Sequence, residues 1–340
     1  MAEKKVKILA YSCRQDEVEY FAFFGGQPNV ELSKSGAVPD EETAALAEGC
    51  TCISIITTPM TPPILRALFE RGVRFISTRS IGYDHIDMKC ALELGMRVGN
   101  VSYAPDAVSN YTVMFMLMAI RNIKNISRLA LAQDFSLQGG VQGRNLGNLT
   151  VGIAGTGRIG QRVIEHLSGF GCTILAYDKV ETEAVRRHAR YVGWEELCAA
   201  SDIISLHIPA SADNYHIINH ASLLKMKDGV ILINTARGSL IDTPAFLDAL
   251  ESGKIGAAAL DVVEDEGYLY YNNLEGRVLP NRDIAVLKSY PNVILTPHTA
   301  FYTDQTVSDM VENSLKSCVA FVRGEENPWE LPSAAGTGGC

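Results

Sequence analysis

The sequence lacks the long hydrophobic run that a membrane-spanning helix requires. No apolar stretch among the 340 residues approaches the ~18 residues that cross a bilayer, and the richest one extends from Val113 to Ile120. The first residues, MAEKKVKILAYS, also lack the extended apolar region and the small-residue cleavage site of a secretory signal. These absences predict a cytoplasmic protein.

Positive charge is scarce as well. The chain has 30 Lys and Arg residues against 39 Asp and Glu residues, which gives a formal net charge of −9 at pH 7. Binding to nucleic acid or to an anionic membrane depends on clustered basic residues, so the composition predicts neither partner. An anionic substrate would need a local concentration of positive charge.

Cysteine pairs with the spacing of a zinc site or a redox motif are absent. The cysteines lie in apolar surroundings and form no C-x-x-C pair, which predicts reduced packing residues, without a disulfide framework and without a metal site. They occupy positions 13, 50, 52, 90, 172, 198, 318 and 340.

Length and hydrophobic patterning predict two α/β domains. A chain of 340 residues exceeds one small domain, and its first hundred residues contain strand-like runs (KVKILAYS, CISIIT, MRVGNVS) without a glycine fingerprint. From Leu149 onward, seven apolar runs separated by helical stretches predict a doubly wound parallel sheet. A last helix after His298 is long enough to return to the first domain. We expect a first domain of residues 1–102 and 300–332, a second of residues 103–299, and a flexible tail at 333–340.

One long apolar segment joins the two predicted domains. PDAVSNYTVMFMLMAIRNIKNISRLALAQD predicts a single long helix, preceded by a hinge at about residues 101–105. Its apolar positions from Val108 to Ala132 suit a dimer surface, and they suit equally a helix buried within one chain. The sequence leaves both interpretations open.

The second domain begins with a nucleotide-binding signature. In TVGIAGTGRIGQRV, Gly155, Gly157 and Gly160 follow a strand and open a helix, whose first N–H groups can face a pyrophosphate. Asp178 ends the next strand, where an acid can accept a hydrogen bond from a ribose 2′-OH and repel a 2′-phosphate. The pattern predicts NAD rather than NADP, although Asp178 alone could be an ordinary turn residue.

Three charged residues follow predicted strands of the same domain. Arg237 follows VILINTA, Glu266 follows AAALDVVED and His298 follows NVILTP. Arginine can hold a carboxylate, histidine can exchange a proton near neutral pH, and a carboxylate can orient the imidazole. Each has an ordinary structural interpretation by itself, but together beside NAD they suffice to reduce a 2-oxo acid.

The motifs GTGRIG, NTARGSLID, ALDVVEDE and TPHTAFYTDQ resemble those of the D-isomer-specific 2-hydroxyacid dehydrogenases, and the resemblance extends from Lys5 to about Gly324. It implies a flavodoxin-like catalytic domain and an inserted Rossmann NAD-binding domain, commonly in a homodimer. It implies that His298 protonates the carbonyl oxygen of a 2-oxo acid during hydride transfer from NADH, while Arg237 holds the carboxylate and Glu266 keeps His298 protonated.

The resemblance also implies binding residues. In STRSIGYDHID, the backbone N–H groups of Ile81 and Gly82 would receive the substrate carboxylate, with Arg79 adding positive potential, and Tyr103 would be an active-site tyrosine. Apart from the resemblance, Tyr302 could line the substrate pocket or simply pack at the interface of the two domains. The implied cofactor-binding residues are Gly155, Gly157, Arg158, Ile159, Gly160, Asp178, His207, Pro209, Thr235, Ala236 and Asp261.

The segment DEGYLYYNNLEGRVLPNRDIAVLKSYPNV resembles the D-lactate and 2-hydroxyisocaproate branch, and STRSIGYDHID and FMLMAIRN are similar to the dehydrogenases of vancomycin-resistance clusters. This favours pyruvate as the substrate. Ile55 and Ile56, where lactate enzymes often have a tyrosine, would instead form a wall that admits 2-oxoisocaproate or phenylpyruvate. A NAD-sensing corepressor of the same fold is a third interpretation.

Overall fold

The computed structural model of the protein describes residues 5–137, 140–269 and 272–332. The described residues divide into two compact units, one formed by residues 5–104 and 302–332 and the other by the described residues between 105 and 301. The tail predicted to be flexible, 333–340, lies outside the described residues. Within the described part of the chain, no helix is both long enough and apolar enough to cross a bilayer.

The first unit is built on a parallel sheet. Its elements up to residue 99 are β1 (Val6–Ala10), α1 (Val18–Gly25), β2 (Val30–Lys34), β3 (Cys52–Ile55), α2 (Pro62–Glu70), β4 (Phe75–Thr78), α3 (Met88–Glu93) and β5 (Arg97–Gly99). All pairs are parallel and the strand order is β2-β1-β3-β4-β5. This is the flavodoxin-like order, which confirms the predicted class.

The second unit carries a larger parallel sheet. Its elements are α4 (Asp106–Ile120), α5 (Ile123–Leu131), β6 (Thr150–Ala154), α6 (Arg158–Leu167), β7 (Thr173–Tyr177), α7 (Glu183–Arg186), β8 (Arg190–Tyr191), α8 (Trp194–Ala200), β9 (Ile203–Leu206), α9 (His220–Lys225), β10 (Val230–Asn234), α10 (Thr243–Glu251), β11 (Ile255–Leu260), α11 (Arg282–Ser289) and β12 (Val293–Leu295). The strand order is β12-β11-β10-β9-β6-β7-β8. The order reverses between β6 and β9, and this doubly wound arrangement confirms the predicted Rossmann class.

Burial explains the hydrophobic runs of these strands. Every residue of β9 and β10 is buried, because a parallel sheet is covered by helices on both faces. Two apolar cores fill the second unit, one of which includes Leu206 and Leu232 and the other Ile153 and Ile233. The sheet is therefore a rigid base for the loops at its carboxyl ends.

The segment expected to form one long helix contains two. Asn122 adopts a left-handed conformation with φ of 52° and ends the run between α4 and α5. Its side-chain Nδ2 donates to the carbonyl of Gln142 at 2.9 Å, and the N–H of Arg144 donates to the carbonyl of Ile120. Propensity alone does not reveal this break, since the returning loop supplies the hydrogen bonds that hold it.

The final helix, α12 (Asp304–Arg323), belongs to the first unit. The side chain of Thr303 caps its beginning by accepting from the N–H of Thr306, and Gly324 ends it with φ of 71°. Val311, Leu315 and Cys318 pack against β1 and β4 in one apolar core. The helix thus completes the first unit after the chain has formed the second.

Candidate functional site

The glycine-rich turn after β6 has the shape that a dinucleotide needs. Gly155 adopts φ of 97°, and a Cβ there would lie 2.6 Å from the backbone of His207. A Cβ at Gly160 would lie 2.0 Å from the carbonyl oxygen of Gly155, so only glycine lets α6 pack this closely. A Cβ added at Gly157 would meet no atom of the described residues within 4 Å. The backbone can therefore approach a pyrophosphate where α6 begins, at Arg158 and Ile159, and the turn fits NAD.

Asp178 lies at the carboxyl end of β7 and faces this turn. Its Oδ2 accepts from the N–H of Thr156 at 2.5 Å and from the Thr156 hydroxyl at 3.1 Å. Its Oδ1 accepts from the N–H of Val180 at 3.1 Å. A carboxylate oxygen can accept two hydrogen bonds, so Oδ1 has capacity for a ribose hydroxyl. Thr156, which the sequence motif leaves unspecified, ties the acid to the glycine turn.

His207 follows β9 and lies against the same turn. Its Nε2 is hydrogen bonded to the hydroxyl of Ser205 at 2.9 Å. Desolvation lowers the pKa of His207 from 6.5 to about 4, so the imidazole is neutral at pH 7. The side chain beside the nucleotide turn is thus an uncharged group.

The other predicted cofactor-binding residues also follow strands. Pro209 lies in the exposed loop after β9, and Thr235 and Ala236 follow β10. The hydroxyl of Thr235 is 2.9 Å from that of Thr112 on α4. Because the carboxyl ends of parallel strands share one edge of the sheet, the fold brings these residues to the edge that carries the glycine turn.

Glu266 and His298 form a hydrogen-bonded pair. Oε1 of Glu266 lies 3.1 Å from Nδ1 of His298, and the two side chains are 14% and 22% exposed. The N–H of Val263 donates to Oε2 of Glu266 at 2.7 Å, which holds the carboxylate in place. A carboxylate on Nδ1 orients the ring and stabilises the imidazolium, leaving proton donation to Nε2.

Asp261 organises the loop that presents His298. Its buried carboxylate accepts from the N–H groups of Thr299 and Ala300, each at 2.8 Å, and from the Thr296 hydroxyl at 2.5 Å. His298 adopts φ of 54°, a left-handed conformation that a non-glycine residue keeps only when its surroundings hold it. The cofactor-binding role that the family resemblance implies for Asp261 stays a prediction, and the structure adds this positioning role.

Arg237 lies in the turn after β10. Asn234 holds the turn, because its Nδ2 donates to the carbonyl of Arg237 at 2.8 Å and its Oδ1 accepts from the N–H of Ala236 at 2.9 Å. A Cβ at Gly238 would lie 2.1 Å from the carbonyl group of Val263. The backbone after Arg237 is therefore in direct contact with the segment that carries Glu266.

The loop of Ser80, Ile81, Gly82 and Tyr83, called here the 80–83 loop, directs its carbonyl groups to the protein. The carbonyl of Ser80 accepts from the N–H of Val101 at 3.2 Å, that of Ile81 from Nδ2 of Asn100 at 2.8 Å, and that of Gly82 from the Ser80 hydroxyl at 2.7 Å. No group in residues 5–137, 140–269 and 272–332 accepts from the N–H of Ile81, Gly82 or Tyr83. In a trans peptide the N–H points opposite to the carbonyl, so these donors remain for an anion.

Arg79 differs from its predicted role. Its side chain is fully buried, and Nε donates to Oε1 of Glu17 at 2.8 Å, a residue that is also fully buried. Its other nitrogens donate to the hydroxyl of Ser54 and the carbonyl of Tyr11. The expectation that Arg79 adds positive potential for the substrate carboxylate is therefore corrected, because its charge is buried and compensated by Glu17 inside the first unit.

The proposed substrate wall also needs correction. Ile55 is fully buried in the core of the first unit, with Leu9 and Ile76, so it cannot line an open pocket. Tyr103 is half-buried and follows β5. Tyr302 is 48% exposed, and the guanidinium of Arg14 lies 5.7 Å from its ring centre.

Several residues that shape the site were missed by motif reasoning. Ser80 and Asn100 hold the 80–83 loop in place. The only property in the sequence that could have indicated this role is that both side chains are polar. Glu264, two residues before Glu266, pairs with His216, with 2.7 Å between Oε1 of Glu264 and Nε2 of His216. Neither spacing nor residue type in the sequence indicates that partner, because it comes from a loop 48 residues away.

A family model of the D-isomer specific 2-hydroxyacid dehydrogenase NAD binding domain matches residues 113–300. Over 323 residues, the chain is 43% identical to a D-specific alpha-keto acid dehydrogenase of Enterococcus faecium, covering 95% of this chain and 99% of that protein. It is 41% identical to an aromatic 2-oxoacid reductase of Clostridium sporogenes over 321 residues, covering 93% and 96%. The crystal structure of a D-lactate dehydrogenase from Treponema pallidum aligns with a TM-score of 0.86 at 32% identity, covering 96% of this chain and all of that one.

Proposed function

The chain belongs to the family of D-isomer specific 2-hydroxyacid dehydrogenases, and from this premise we propose that it reduces pyruvate to D-lactate. It is an NAD-dependent oxidoreductase, and its substrate is a small 2-oxo or 2-hydroxy acid. The observation that carries the reaction class is the hydrogen bond between Glu266 and His298, on a loop that Asp261 organises. The likeness to the D-lactate dehydrogenase of Treponema pallidum supports pyruvate as the substrate.

The proposed mechanism assigns one task to each charged residue. NADH, when bound, supplies the hydride that reduces C2 of the substrate. His298 donates a proton from Nε2 to the carbonyl oxygen, since Glu266 engages its Nδ1. Arg237 holds the substrate carboxylate by charge-assisted hydrogen bonds and polarises the carbonyl group. In the reverse direction, His298 accepts the proton from the hydroxyl group.

Backbone N–H groups can serve the substrate carboxylate as donors besides Arg237. The N–H groups of Ile81, Gly82 and Tyr83 are suited to this, since their peptide carbonyls are engaged elsewhere. Backbone donors fixed in position lose little conformational freedom when an anion binds. The proposal therefore assigns recognition of the carboxylate to these backbone N–H groups as well as to Arg237.

Replacing His298 tests the mechanism. We expect His298→Asn to lower kcat by roughly 10²- to 10⁴-fold, the usual contribution of a general acid, while the Kd for NADH stays within about two-fold. The measurements are NADH oxidation with pyruvate and NADH fluorescence. His220→Asn, which changes an exposed histidine of α9, is the control. A His298→Asn variant with nearly native kcat would remove this residue from the mechanism.

A larger 2-oxo acid is the second candidate substrate. The 41% identity to an aromatic 2-oxoacid reductase favours it, although Ile55 no longer explains such a preference. Initial rates with pyruvate, 2-oxoisocaproate and phenylpyruvate, together with the chirality of the product, distinguish the two. A higher kcat/KM for phenylpyruvate would refute the pyruvate assignment and leave the reaction class intact.

We further propose that the protein is a cytoplasmic homodimer. Leu131, Phe135 and Leu137, at and after the end of α5, are 87%, 80% and 94% exposed. Such an apolar patch suits an interface between two copies, whereas Phe115 and Met116 of α4 are buried within the chain's own second unit. Sedimentation velocity tests the dimer, and a monomer at micromolar concentration would refute it. Cell fractionation tests the location.

A further inference from the structure

A second carboxylate and a second histidine are paired close to Glu266. Oε1 of Glu264 lies 2.7 Å from Nε2 of His216, and Oε2 of Glu264 accepts from the hydroxyl of Thr243 at 3.1 Å. The ring of Tyr215 stacks on the imidazole of His216 with 3.8 Å between centroids. The side chains of Glu264 and His216 are 20% and 24% exposed, so the pair is largely shielded from water.

This pair joins three segments of the second unit. Glu264 belongs to the segment 263–266, His216 to the loop between β9 and α9, and Thr243 is the first residue of α10. The N–H of His216 donates to the carbonyl of Ser239 at 3.0 Å, which connects the same loop to the turn after Arg237. The carboxylate of Glu264 therefore connects the segment 263–266 to the loop that carries His216 and to the beginning of α10. Both of these elements adjoin the turn that follows Arg237.

The opposite side of the segment 263–266 is in contact with backbone. A Cβ at Gly238 would lie 2.1 Å from the carbonyl group of Val263 and 2.4 Å from the nitrogen of Glu264. The N–H of Val263 holds Oε2 of Glu266, whose Oε1 faces His298. A displacement of the segment away from Gly238 would thus move Glu266 relative to both Arg237 and His298.

We propose that Glu264 and His216 are positioning residues, whose hydrogen bond holds the segment 263–266 against Gly238 and so keeps Glu266 aligned with Arg237 and His298. The inference rests on the proposed function, in which those three residues carry out the reduction. Neither Glu264 nor His216 takes part in the chemistry, since the carboxylate of Glu264 is already engaged by His216, Tyr215 and Thr243.

The conformation of His216 supports a positioning role. The residue adopts φ of 51°, which is unfavourable for a non-glycine side chain. It is held there by its own N–H, which donates to Ser239, and by its carbonyl, which accepts from Nδ2 of Asn219 at 2.8 Å. Backbone held in an unfavourable region persists where the surrounding contacts determine it, and here those contacts present the imidazole to Glu264.

Two substitutions of Glu264 distinguish the effect of its hydrogen bonds from the effect of its negative charge. Glu264→Ala removes all three side-chain hydrogen bonds. Glu264→Gln keeps them, because the amide oxygen accepts from His216 and Tyr215 and the amide nitrogen donates to the hydroxyl of Thr243. Glu251→Ala is the matched control, since Glu251 accepts from the hydroxyl of Tyr290 at 2.7 Å at the far end of α10. Thermal unfolding of each variant shows whether it folds.

The test compares kcat for the 2-oxo acid, the Kd for NADH and amide hydrogen exchange of residues 261–269. We expect Glu264→Ala to lower kcat by about 10- to 100-fold, since misplacement of a catalytic group by 1 Å can cost roughly 10² in rate. The Kd for NADH should stay within about two-fold, and exchange should accelerate in Glu264→Ala but not in Glu251→Ala. Glu264→Gln should restore most of kcat.

Three results would overturn the inference: nearly native kcat in Glu264→Ala, an equal loss in Glu264→Gln, or unchanged exchange across residues 261–269. Failure of the proposed function is recognised separately, because the unsubstituted enzyme would then turn over none of the 2-oxo acids. In that case the exchange measurement still decides the positioning role.

Discussion

The neutral imidazole of His207 makes the second unit sensitive to acid. Its pKa lies at about 4, against an ordinary value of 6.5, because burial disfavours the charged form. The unfolded chain therefore binds a proton at His207 below pH 6.5, while the folded protein does not bind it until about pH 4. The contribution of His207 to the free energy of unfolding is therefore complete above pH 6.5 and is lost as the pH falls toward 4. The drop in pKa corresponds to about 3 kcal/mol, since one pKa unit equals ~1.4 kcal/mol.

His207→Gln isolates this contribution, because glutamine does not titrate in that range. We expect the stability of the unsubstituted protein to fall by about 3 kcal/mol more than that of His207→Gln between pH 6.5 and pH 4, with no divergence from pH 7 to 8.5. His220→Gln, at an exposed position with an acid 3.9 Å away, controls for loss of a histidine.

The assay is urea unfolding followed by tryptophan fluorescence. The chain has two tryptophans, Trp194 in the second unit and Trp329 in the first, so a Trp329→Phe background leaves a reporter in the unit that contains His207. The reporter matters because two-unit proteins need not unfold in one step. Parallel stability curves for the unsubstituted and His207→Gln proteins from pH 6.5 to 4 would refute the reasoning.

Two further predictions concern binding. Asn100→Ala deprives the carbonyl of Ile81 of its donor. We therefore expect the KM for the 2-oxo acid to rise by about 5-fold with the Kd for NADH unchanged, since a lost hydrogen bond contributes roughly 1 kcal/mol. Steady-state kinetics measure this change in KM, and the control is Asn327→Ala, which removes a comparable side-chain donor elsewhere in the first unit. An equal KM in both variants would contradict the prediction. Asp178→Ala should lower the ratio of kcat/KM for NADH to that for NADPH by about 10- to 100-fold, because a charge-assisted hydrogen bond to the ribose is worth roughly 1.5 to 3 kcal/mol and a repulsive charge is removed. An unchanged ratio would assign cofactor choice to another residue.

The fold could be predicted in part because parallel strands are buried on both faces. The seven runs predicted from Leu149 onward coincide with β6 to β12, since continuous apolar residues are the direct consequence of that burial. The pattern did not identify β2, an edge strand with exposed positions, or β4, whose four buried residues include Ser77 and Thr78. Short or mixed strands give too weak a pattern for local reasoning.

The residues of the candidate site likewise fall into those that local patterns predict and those that they do not. The residue types and their places after strands were sufficient to single out Gly155, Asp178, Arg237, Glu266 and His298, because glycine turns and charged strand ends carry local signals. The family resemblance placed Arg79 beside the substrate and Ile55 in a wall, and the structure buries both. Burial depends on which segments pack over a residue, and those segments lie far away in the sequence.

Features with a local signal could therefore be predicted from the sequence alone. They are the doubly wound pattern, the nucleotide-binding turn, the absence of basic clusters and the three charged residues after strands. Tertiary structure alone decided which groups face each other. The pairing of Glu17 with Arg79 spans 62 residues and that of His216 with Glu264 spans 48. Such contacts arise when loops from separate strands meet at one edge of a sheet, and no periodicity within a single segment encodes where those loops meet.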